Sequence, residues 1–311
     1  MNGAVPREIE RVGIVGGGLM GTGIAETAAR AGFPVWLFEP LEENRPGSGA
    51  RLAASLGRAQ RAGRLTVEEE SAASERVRYV ERLDELADCD LLVEAVLEDR
   101  DVKLEWFARM DAAARADALL ASNTSSIPIA KLAAVVTEPA RVLGMHFFSP
   151  APVMRLVEIV KALGTSEETV DTANVFVLAL GKQPIATKDR AGFIVNMLLV
   201  PYLVAGVRML EEGFADRDAI GSGMKLGCGH PMGPLQLCDF IGLDVVYAVC
   251  DSLFDEFRRP EYAPPPLLKR MIETGWLGRK SGRGFYEYED AQTTARGAGA
   301  GVRAAGAVGL A

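Results

Sequence analysis

The stretch Arg-Val-Gly-Ile-Val-Gly-Gly-Gly-Leu-Met-Gly at residues 11–21 decides the fold of this 311-residue chain. Its first five residues form an apolar run that predicts a buried strand, and the pattern after the glycines predicts a helix. A Gly-x-Gly-x-x-Gly motif between a strand and a helix is typical of dinucleotide-binding folds. Gly16 would permit the tight turn, Gly18 the approach of a pyrophosphate, and Gly21 the close packing of helix on strand. We therefore expect a dinucleotide site at this turn.

Beyond this turn, short apolar runs alternate with helix-length segments up to about residue 188. Alternation of this kind indicates a parallel sheet covered by helices. We predict a Rossmann-type α/β domain with a doubly wound, mainly parallel sheet over residues 1–188. The predicted strands after the first lie at residues 35–38, 91–93, 119–121, 142–145 and 183–186.

After about Asp189 the alternation stops and helical patterns with Gly and Pro between them follow. We predict a second, all-helical domain over residues 189–290. Residues 291–311 are rich in Gly and Ala and predict a flexible tail. The predicted helices of the second domain lie at residues 193–212, 216–227, 235–257 and 266–275.

The composition disfavours several classes of protein. Acidic residues outnumber basic ones by 42 to 34, giving a net charge of −8, which disfavours a nucleic-acid partner. The four cysteines form no Cys-x-x-Cys pair and have no histidine at metal-binding spacing, so no metal site is predicted. The longest apolar stretch, residues 193–207, is shorter than the ~20 residues of a membrane span, and residues 1–11 lack the apolar core of a signal peptide. We predict a cytoplasmic protein that does not bind membranes.

Glu39 ends the second predicted strand, 18 residues after Gly21. A carboxylate at this position hydrogen-bonds the adenosine ribose and repels a 2′-phosphate. The sequence therefore favours NAD over NADP. A glutamate here also suits FAD, so the motif by itself leaves the redox cofactor open.

Only two histidines, His146 and His230, could supply an imidazole near neutral pH. His146 follows the fifth predicted strand, and ligands of such sheets bind beyond the carboxyl ends of strands. Glu158 lies among apolar residues, where a buried carboxylate needs a partner. Because a catalytic histidine needs one ring nitrogen held, we pair His146 with Glu158. His230 lies in a Gly- and Pro-rich turn with no carboxylate within eight residues, and we expect it to be structural.

Seven segments of the chain resemble the L-3-hydroxyacyl-CoA dehydrogenases, especially the short-chain 3-hydroxybutyryl-CoA branch. They occur in the family's order and span about residues 11–288. The segments are residues 12–24, 93–98, 122–126, 146–150, 191–196, 230–234 and 278–286. Seven segments in order are far more specific than the glycine motif by itself.

The resemblance implies a role for each matching residue. His146 matches the general base that removes the C3 hydroxyl proton, and Glu158 matches the carboxylate that orients it. Ser125 and Asn196 match the groups that hold the substrate's oxygens. In the family the helical domain also forms the interface of a homodimer. The implied NAD contacts are Gly16, Gly18, Leu19, Met20, Gly21, Glu39, Ala95, Glu98, Lys103 and Asn123.

The segment from residue 44 to 66 contains five arginines and no acidic residue. A local basic helix in an acidic protein suggests a contact with the phosphates of CoA. Ser55 matches a family serine near CoA, so we predict that Ser55, Arg58 and Arg61 bind this end of the substrate. For any single arginine, a solvated helix face explains the charge equally well.

The sequence thus predicts NAD-dependent, reversible oxidation of an (S)-3-hydroxyacyl-CoA to the 3-oxoacyl-CoA, with 3-hydroxybutyryl-CoA favoured, as in fatty acid metabolism. Three alternatives stay open. The same chemistry could act on a substrate carried by an acyl carrier protein. The chain could be a gulonate-type sugar-acid dehydrogenase, which would not need the basic helix. It could also bind NAD without turnover, as the lens λ-crystallins of this superfamily do.

Overall fold

The computed structural model describes residues 6–288 and divides into two compact units, one ending at Phe193 and the other beginning at Ile194. The predicted tail at residues 291–311 lies outside the described residues.

The first unit contains one sheet of eight strands in the order β3-β2-β1-β4-β5-β6-β7-β8. All neighbouring strands are parallel except β6 and β7, which are antiparallel. This arrangement confirms the predicted Rossmann-type fold with a mainly parallel sheet. The strands are β1 (Val12–Val15), β2 (Val35–Phe38), β3 (Val77–Val80), β4 (Leu91–Glu94), β5 (Leu119–Ser122), β6 (Val142–Phe147), β7 (Leu156–Lys161) and β8 (Gln183–Lys188).

The central strands of the sheet are buried on both faces, which explains why they read as continuous apolar runs. Side chains such as Ile14 and Val93 belong to one apolar core, whereas Val15 and Leu92 belong to a second core on the other face. The helices that cover the sheet are α1 (Leu19–Arg30), α2 (Arg45–Arg61), α3 (Val67–Glu75), α4 (Arg100–Ala113), α5 (Ile129–Ala133) and α6 (Glu167–Ala179).

The basic segment at residues 44–66 forms α2 and the turn that leads into α3, rather than one continuous helix. Thr66 is the N-cap of α3, where its hydroxyl accepts a hydrogen bond from the Glu69 N–H and the Glu69 carboxylate accepts one from the Thr66 N–H. This capping box starts a new helix and separates the arginines of α2 from the acidic first turn of α3.

Over its described residues, the second unit contains five α-helices followed by turns with two isolated β-bridges at residues 278–287, and one of its predicted helices was wrong. Residues 235–257 form two helices because Gly242 between them has a φ of 104°, which ends one helix and redirects the chain. No described helix is long and apolar enough to cross a membrane. The helices are α7 (Val195–Glu211), α8 (Arg217–Cys228), α9 (Pro234–Ile241), α10 (Leu243–Phe257) and α11 (Pro266–Glu273).

Asp239 organises the end of the described chain within the second unit. Its carboxylate is buried and accepts hydrogen bonds from the N–H groups of Phe285 and Tyr286 and from the hydroxyl of Tyr288. Burial raises the pKa of Asp239, although these hydrogen bonds act in the opposite direction. The residues of the seventh resembling segment are therefore held by a buried polar anchor.

Candidate active site

The glycine turn between β1 and α1 has the geometry of a phosphate cradle. Gly16 has a φ of 108°, which only glycine adopts readily, and a Cβ at Gly21 would collide with the Gly16 carbonyl oxygen. At Gly18, in contrast, no other atom lies within 4 Å of the position that a Cβ would take. The protein itself therefore requires glycine at two of the three positions, whereas the space at Gly18 is open to a ligand at the N-terminus of α1.

Glu39 lies beside this turn at the end of β2, as the sequence predicted. Its side chain is largely buried, and its two carboxylate oxygens accept hydrogen bonds from the N–H groups of Gly17 (2.6 Å) and Leu41 (3.0 Å). Ser48 Oγ and Arg51 Nη2 donate to the carbonyl oxygen of the same Gly17 at 2.8 and 2.5 Å. Ser48 and Gly17 were not predicted as site residues, because neither position belongs to the spacing of the motif.

A buried ionic cluster occupies the carboxyl ends of β4 and β5. The Lys103 ammonium, 1% exposed, donates to Glu94 Oε1 at 2.6 Å and lies 3.3 Å from Glu98 Oε2. Glu94 is fully buried and also accepts from the Val96 N–H (2.7 Å) and from Ser122 Oγ (2.6 Å). Lys103 and Glu98 were predicted as cofactor contacts, whereas Glu94 was missed, because its position at the end of an apolar strand gives no signal of a partner nine residues ahead.

Glu98 holds the turn that follows β5. Its Oε1 accepts hydrogen bonds from Thr124 Oγ1 (2.6 Å), the Ser125 N–H (2.9 Å) and the Ser126 N–H (3.2 Å). Partial burial would raise the pKa of Glu98, but the Lys103 charge and these hydrogen bonds outweigh it and hold the pKa below its usual value. The partly buried Ser125 side chain is thus placed by a carboxylate from another loop.

His146 and Glu158 form a buried pair across the antiparallel strands β6 and β7. The two residues are directly opposite in the register, and His146 Nδ1 lies 2.7 Å from Glu158 Oε2. The prediction that His146 follows the strand was wrong: it is the fifth residue of β6, which extends to Phe147. The strand continues because β7, which the sequence analysis missed, supplies a pairing partner for these residues.

The surroundings of His146 fix the position of its ring. Phe148 and Phe193 contact the ring with centroid distances of 4.4 and 5.5 Å. The next residue in β6, Phe147, donates its N–H to Asn123 Oδ1 at 2.9 Å, which ties the histidine strand to the turn after β5. The structure therefore brings His146, Glu158 and the turn containing Asn123 together at one edge of the sheet, where β5 and β6 end and the antiparallel β7 begins.

The remaining predicted site residues occupy more exposed positions. Leu19 is 68% exposed in the first turn of α1, and Met20 and Ala95 are partly buried on either side of the glycine turn. Asn196 lies in the first turn of α7 in the second unit and is partly buried. His230 is exposed, and its Nδ1 lies 3.2 Å from the hydroxyl of Tyr202.

The predicted CoA-binding residues lie along α2. Ser55 is partly buried, whereas Arg58 and Arg61 are exposed, about one and two turns further along the helix. Neither arginine forms an ion pair with another described residue. Their charges are therefore available to an anion from solution.

An open cleft of about 800 Å³ lies elsewhere on the first unit, and none of the predicted site residues lines it. Two of the cations that line it bind backbone oxygens: Arg76 donates to the Ala29 carbonyl near the end of α1, and Lys182 donates to the carbonyls of Ala151 and Met154. The 12 residues of α1 separate its C-terminal end, at this cleft, from the glycine turn by about 18 Å. The cleft is therefore separate from the dinucleotide cradle.

Two family models together match nearly the whole described chain. Residues 11–190 match the 3-hydroxyacyl-CoA dehydrogenase NAD binding domain, and residues 192–288 match the C-terminal domain of the same family. The chain belongs to the 3-hydroxyacyl-CoA dehydrogenase family. The predicted family, enzyme class and NAD cofactor are confirmed.

Curated relatives and solved structures agree with this assignment. A 3-hydroxybutyryl-CoA dehydrogenase of Mycobacterium tuberculosis is 50% identical over 282 residues, which cover 90% of this chain and 99% of the relative. One from Bradyrhizobium diazoefficiens is 41% identical and covers 91% of this chain and 97% of the relative. The crystal structure of M. tuberculosis FadB2 matches with a TM-score of 0.90 and 49% identity over 91% of this chain and 100% of that one.

In this member of the 3-hydroxyacyl-CoA dehydrogenase family, the site residues of the first unit fit an NAD molecule on chemical grounds. The open space at Gly18 suits a pyrophosphate, and the Glu39 carboxylate suits ribose hydroxyls. Within residues 6–288, no group of three His, Cys, Asp or Glu side chains could hold a metal ion.

Proposed function

We propose that this chain catalyses the NAD-dependent, reversible oxidation of (S)-3-hydroxyacyl-CoA to 3-oxoacyl-CoA, with 3-hydroxybutyryl-CoA as a favoured substrate. The observation that carries the proposal is the buried His146–Glu158 pair, which is connected through Asn123 to the turn that contains Ser125. The names of the 41–50% identical relatives support a four-carbon acyl group.

His146 is the proposed general base. Because its Nδ1 faces Glu158, Nε2 is the nitrogen that accepts the proton of the substrate's C3 hydroxyl. The Glu158 carboxylate then accepts a hydrogen bond from Nδ1–H and stabilises the imidazolium that forms. A bound NAD would supply the acceptor for the hydride of C3. In the reverse direction, the imidazolium of His146 returns its proton to the oxygen of the reduced carbonyl.

Two polar residues, Ser125 and Asn196, are proposed to bind and orient the substrate without changing charge. The N–H and the hydroxyl of Ser125 both donate to Glu98 Oε1, at 2.9 and 3.3 Å. We propose that this hydroxyl turns to donate to the substrate oxygen on C3 when substrate binds. Asn196 in α7 keeps the predicted role of binding a substrate oxygen with its side-chain amide. Hydrogen bonds to this oxygen stabilise the negative charge that develops on it during proton transfer.

Residues of the first unit are proposed to contact each part of NAD. The glycine turn with Leu19 and Met20 would hold the pyrophosphate, and Glu39 would hold the adenosine ribose. Ala95, Glu98, Lys103 and Asn123 form the proposed contacts of the nicotinamide half. The Ser55, Arg58 and Arg61 side chains of α2 are the proposed contacts of the CoA phosphates.

One assay tests the proposed reaction against its alternatives. We expect the purified chain to oxidise NADH with acetoacetyl-CoA, and a series of 3-oxoacyl-CoA substrates from C4 to C16 gives its chain-length preference. Faster turnover of the acetoacetyl group on an acyl carrier protein supports the carrier-protein alternative, and turnover of gulonate supports the sugar-acid alternative. Tight NAD binding without any of these activities supports a crystallin-like role.

We also propose a homodimer formed through the helical unit. Large apolar side chains are exposed there, including Leu198, Phe214 and Leu226. Exposed groups of this size mark protein interfaces when they are contiguous. Light scattering should give about twice the chain mass of 33.3 kDa, and a monomeric mass contradicts the proposal.

All four cysteines are free thiols, which supports the cytoplasm as the proposed compartment.

A further inference from the structure

We propose that the negative charge of Glu94, in a buried cluster, strengthens the binding of the oxidised cofactor, NAD⁺, relative to that of NADH. The cluster consists of Glu94, Glu98 and Lys103. The inference rests on the proposed function, because it requires the nicotinamide to react next to His146. The two cofactor forms differ by one positive charge on the nicotinamide ring, so that a nearby negative charge distinguishes them.

In each of its three hydrogen bonds the Glu94 carboxylate is the acceptor. Lys103 Nζ, the Val96 N–H and Ser122 Oγ contact its two oxygens at 2.6–2.7 Å. A carboxylate accepts such bonds without donating any, so this environment suits the ionised form of Glu94. With Glu98 ionised as well, two carboxylates face one ammonium, and the cluster has a net charge of −1.

The cluster is connected to the proposed reaction centre by consecutive hydrogen bonds. Ser122, which donates to Glu94, accepts from the Thr124 N–H, and Glu98 accepts from the N–H of Ser125. Between these residues, Asn123 accepts from the N–H of Phe147, the neighbour of His146 in β6. The hydride acceptor would have to lie beside the carbon whose hydroxyl His146 deprotonates, and the cationic ring would then lie on the same side of the sheet as this cluster.

Burial makes the charge effective over the distance to the ring. Glu94 and Lys103 are 0% and 1% exposed, so little water screens their fields. A unit charge in such a site changes the affinity of a nearby ion by roughly 10- to 30-fold at separations of about 8–12 Å and an effective dielectric constant near 20. Replacing Glu94 by Gln removes that charge but keeps the length of the side chain and one oxygen, which can accept from Lys103 and from the Val96 N–H as Oε1 does.

The test compares three ligands on the full-length wild-type chain and on Glu94→Gln. Calorimetry gives the Kd values of NAD⁺, NADH and ADP-ribose, which lacks the nicotinamide. We expect the ratio of Kd for NAD⁺ to Kd for NADH to rise by about tenfold in Glu94→Gln, while the Kd of ADP-ribose changes less than twofold. An unchanged ratio overturns the inference, as does an equal weakening of all three ligands, which indicates a structural role.

Two further variants separate the effect of the cluster's charge on cofactor binding from an effect on folding stability. Asp111→Asn breaks another buried ion pair of the first unit, with Arg141, and should leave the ratio unchanged. Glu98→Gln removes the same unit of charge at a side chain that is 37% exposed, so it remains testable if Glu94→Gln does not fold. The ratio must shift in the same direction in Glu98→Gln, and a constant ratio there contradicts the inference.

The outcomes for the inference and for the proposed function are distinguishable. A wild-type chain that binds both cofactors but does not oxidise NADH with any 3-oxoacyl thioester contradicts the proposed function. A chain that is active but whose Kd ratio is insensitive to Glu94→Gln and Glu98→Gln contradicts only the inference.

Discussion

Glu158 lies directly opposite His146 in the β6–β7 pair, and its Oε2 is 2.7 Å from Nδ1 of the imidazole. Because the two side chains project from paired positions of a sheet, their separation is fixed by the register rather than by a flexible loop. Both residues are buried, so that the carboxylate is shielded from water where it orients the ring. This relationship is the structural basis of the proposed base.

Replacing Glu158 by Gln tests this support. The amide keeps the shape of the side chain but lacks the charge that stabilises the imidazolium, and it holds the ring less selectively in the tautomer with a free Nε2. We expect kcat with acetoacetyl-CoA to fall by roughly 10²- to 10⁴-fold. The Kd of NADH, measured by fluorescence titration, should stay within about twofold, since no predicted cofactor contact changes. A wild-type kcat in a folded Glu158→Gln protein would show that the pair is structural.

Two alanine substitutions in the glycine turn should affect different properties, one the stability of the fold and the other the affinity for NAD⁺. Gly21→Ala places a Cβ against the Gly16 carbonyl and should lower the free energy of unfolding by about 1–3 kcal/mol or more. Gly18→Ala meets no protein atom, so thermal melting should be nearly unchanged while the Kd of NAD⁺ rises at least about tenfold because a phosphate loses its space. If Gly18→Ala binds NAD⁺ normally, the cofactor does not approach this turn.

The acid sensitivity of the fold should depend on Glu98. Its pKa is lower in the folded protein than its ordinary value of 4.5, so the stability it contributes is present above that pH and is lost as the pH falls. We expect Glu98→Gln to be less stable at neutral pH but to lose less stability than the wild type between about pH 5 and pH 3. Denaturant unfolding at each pH measures this slope. Glu105→Gln, which removes an exposed carboxylate, is the matched control, and parallel slopes for wild type and Glu98→Gln contradict the prediction.

The arginines of α2 should matter only when the substrate carries the phosphates of CoA. For the double variant Arg58→Gln/Arg61→Gln we expect KM for acetoacetyl-CoA to rise about 3- to 10-fold with kcat unchanged. KM for acetoacetyl-N-acetylcysteamine, a thioester without phosphates, should not change. Arg109→Gln removes an exposed arginine of α4 and serves as the control. Equal KM changes for both thioesters would mean that α2 does not contact the phosphates.

The sequence predicted the parts of the site that local patterns encode. The glycine turn with Glu39 follows a motif of fixed spacing, and the His146–Glu158 pair followed from the need of a buried carboxylate for a partner. The pair's register was not predictable, because β7 reverses direction beside β6 and local residue patterns do not specify that pairing. The same pairing explains why His146 lies inside the strand rather than after it.

Contacts between distant loops and one helix boundary were also missed. Glu94 and Ser122 end two apolar strands, and only the parallel register of β4 and β5 places them side by side. Ser48 and Arg51 contact the Gly17 carbonyl across more than 30 residues, so their roles depend on how α2 packs on the glycine turn. Gly242 broke a predicted helix because the apolar pattern continues through it while its positive φ does not permit a continuous helix.

The most direct test of the account is the rate at which His146→Gln oxidises NADH with acetoacetyl-CoA. If His146 is the general base, turnover should fall by roughly 10²-fold or more. The NADH affinity and the melting temperature should stay close to those of the wild type. Undiminished turnover in a folded, NADH-binding His146→Gln protein would contradict the proposed mechanism.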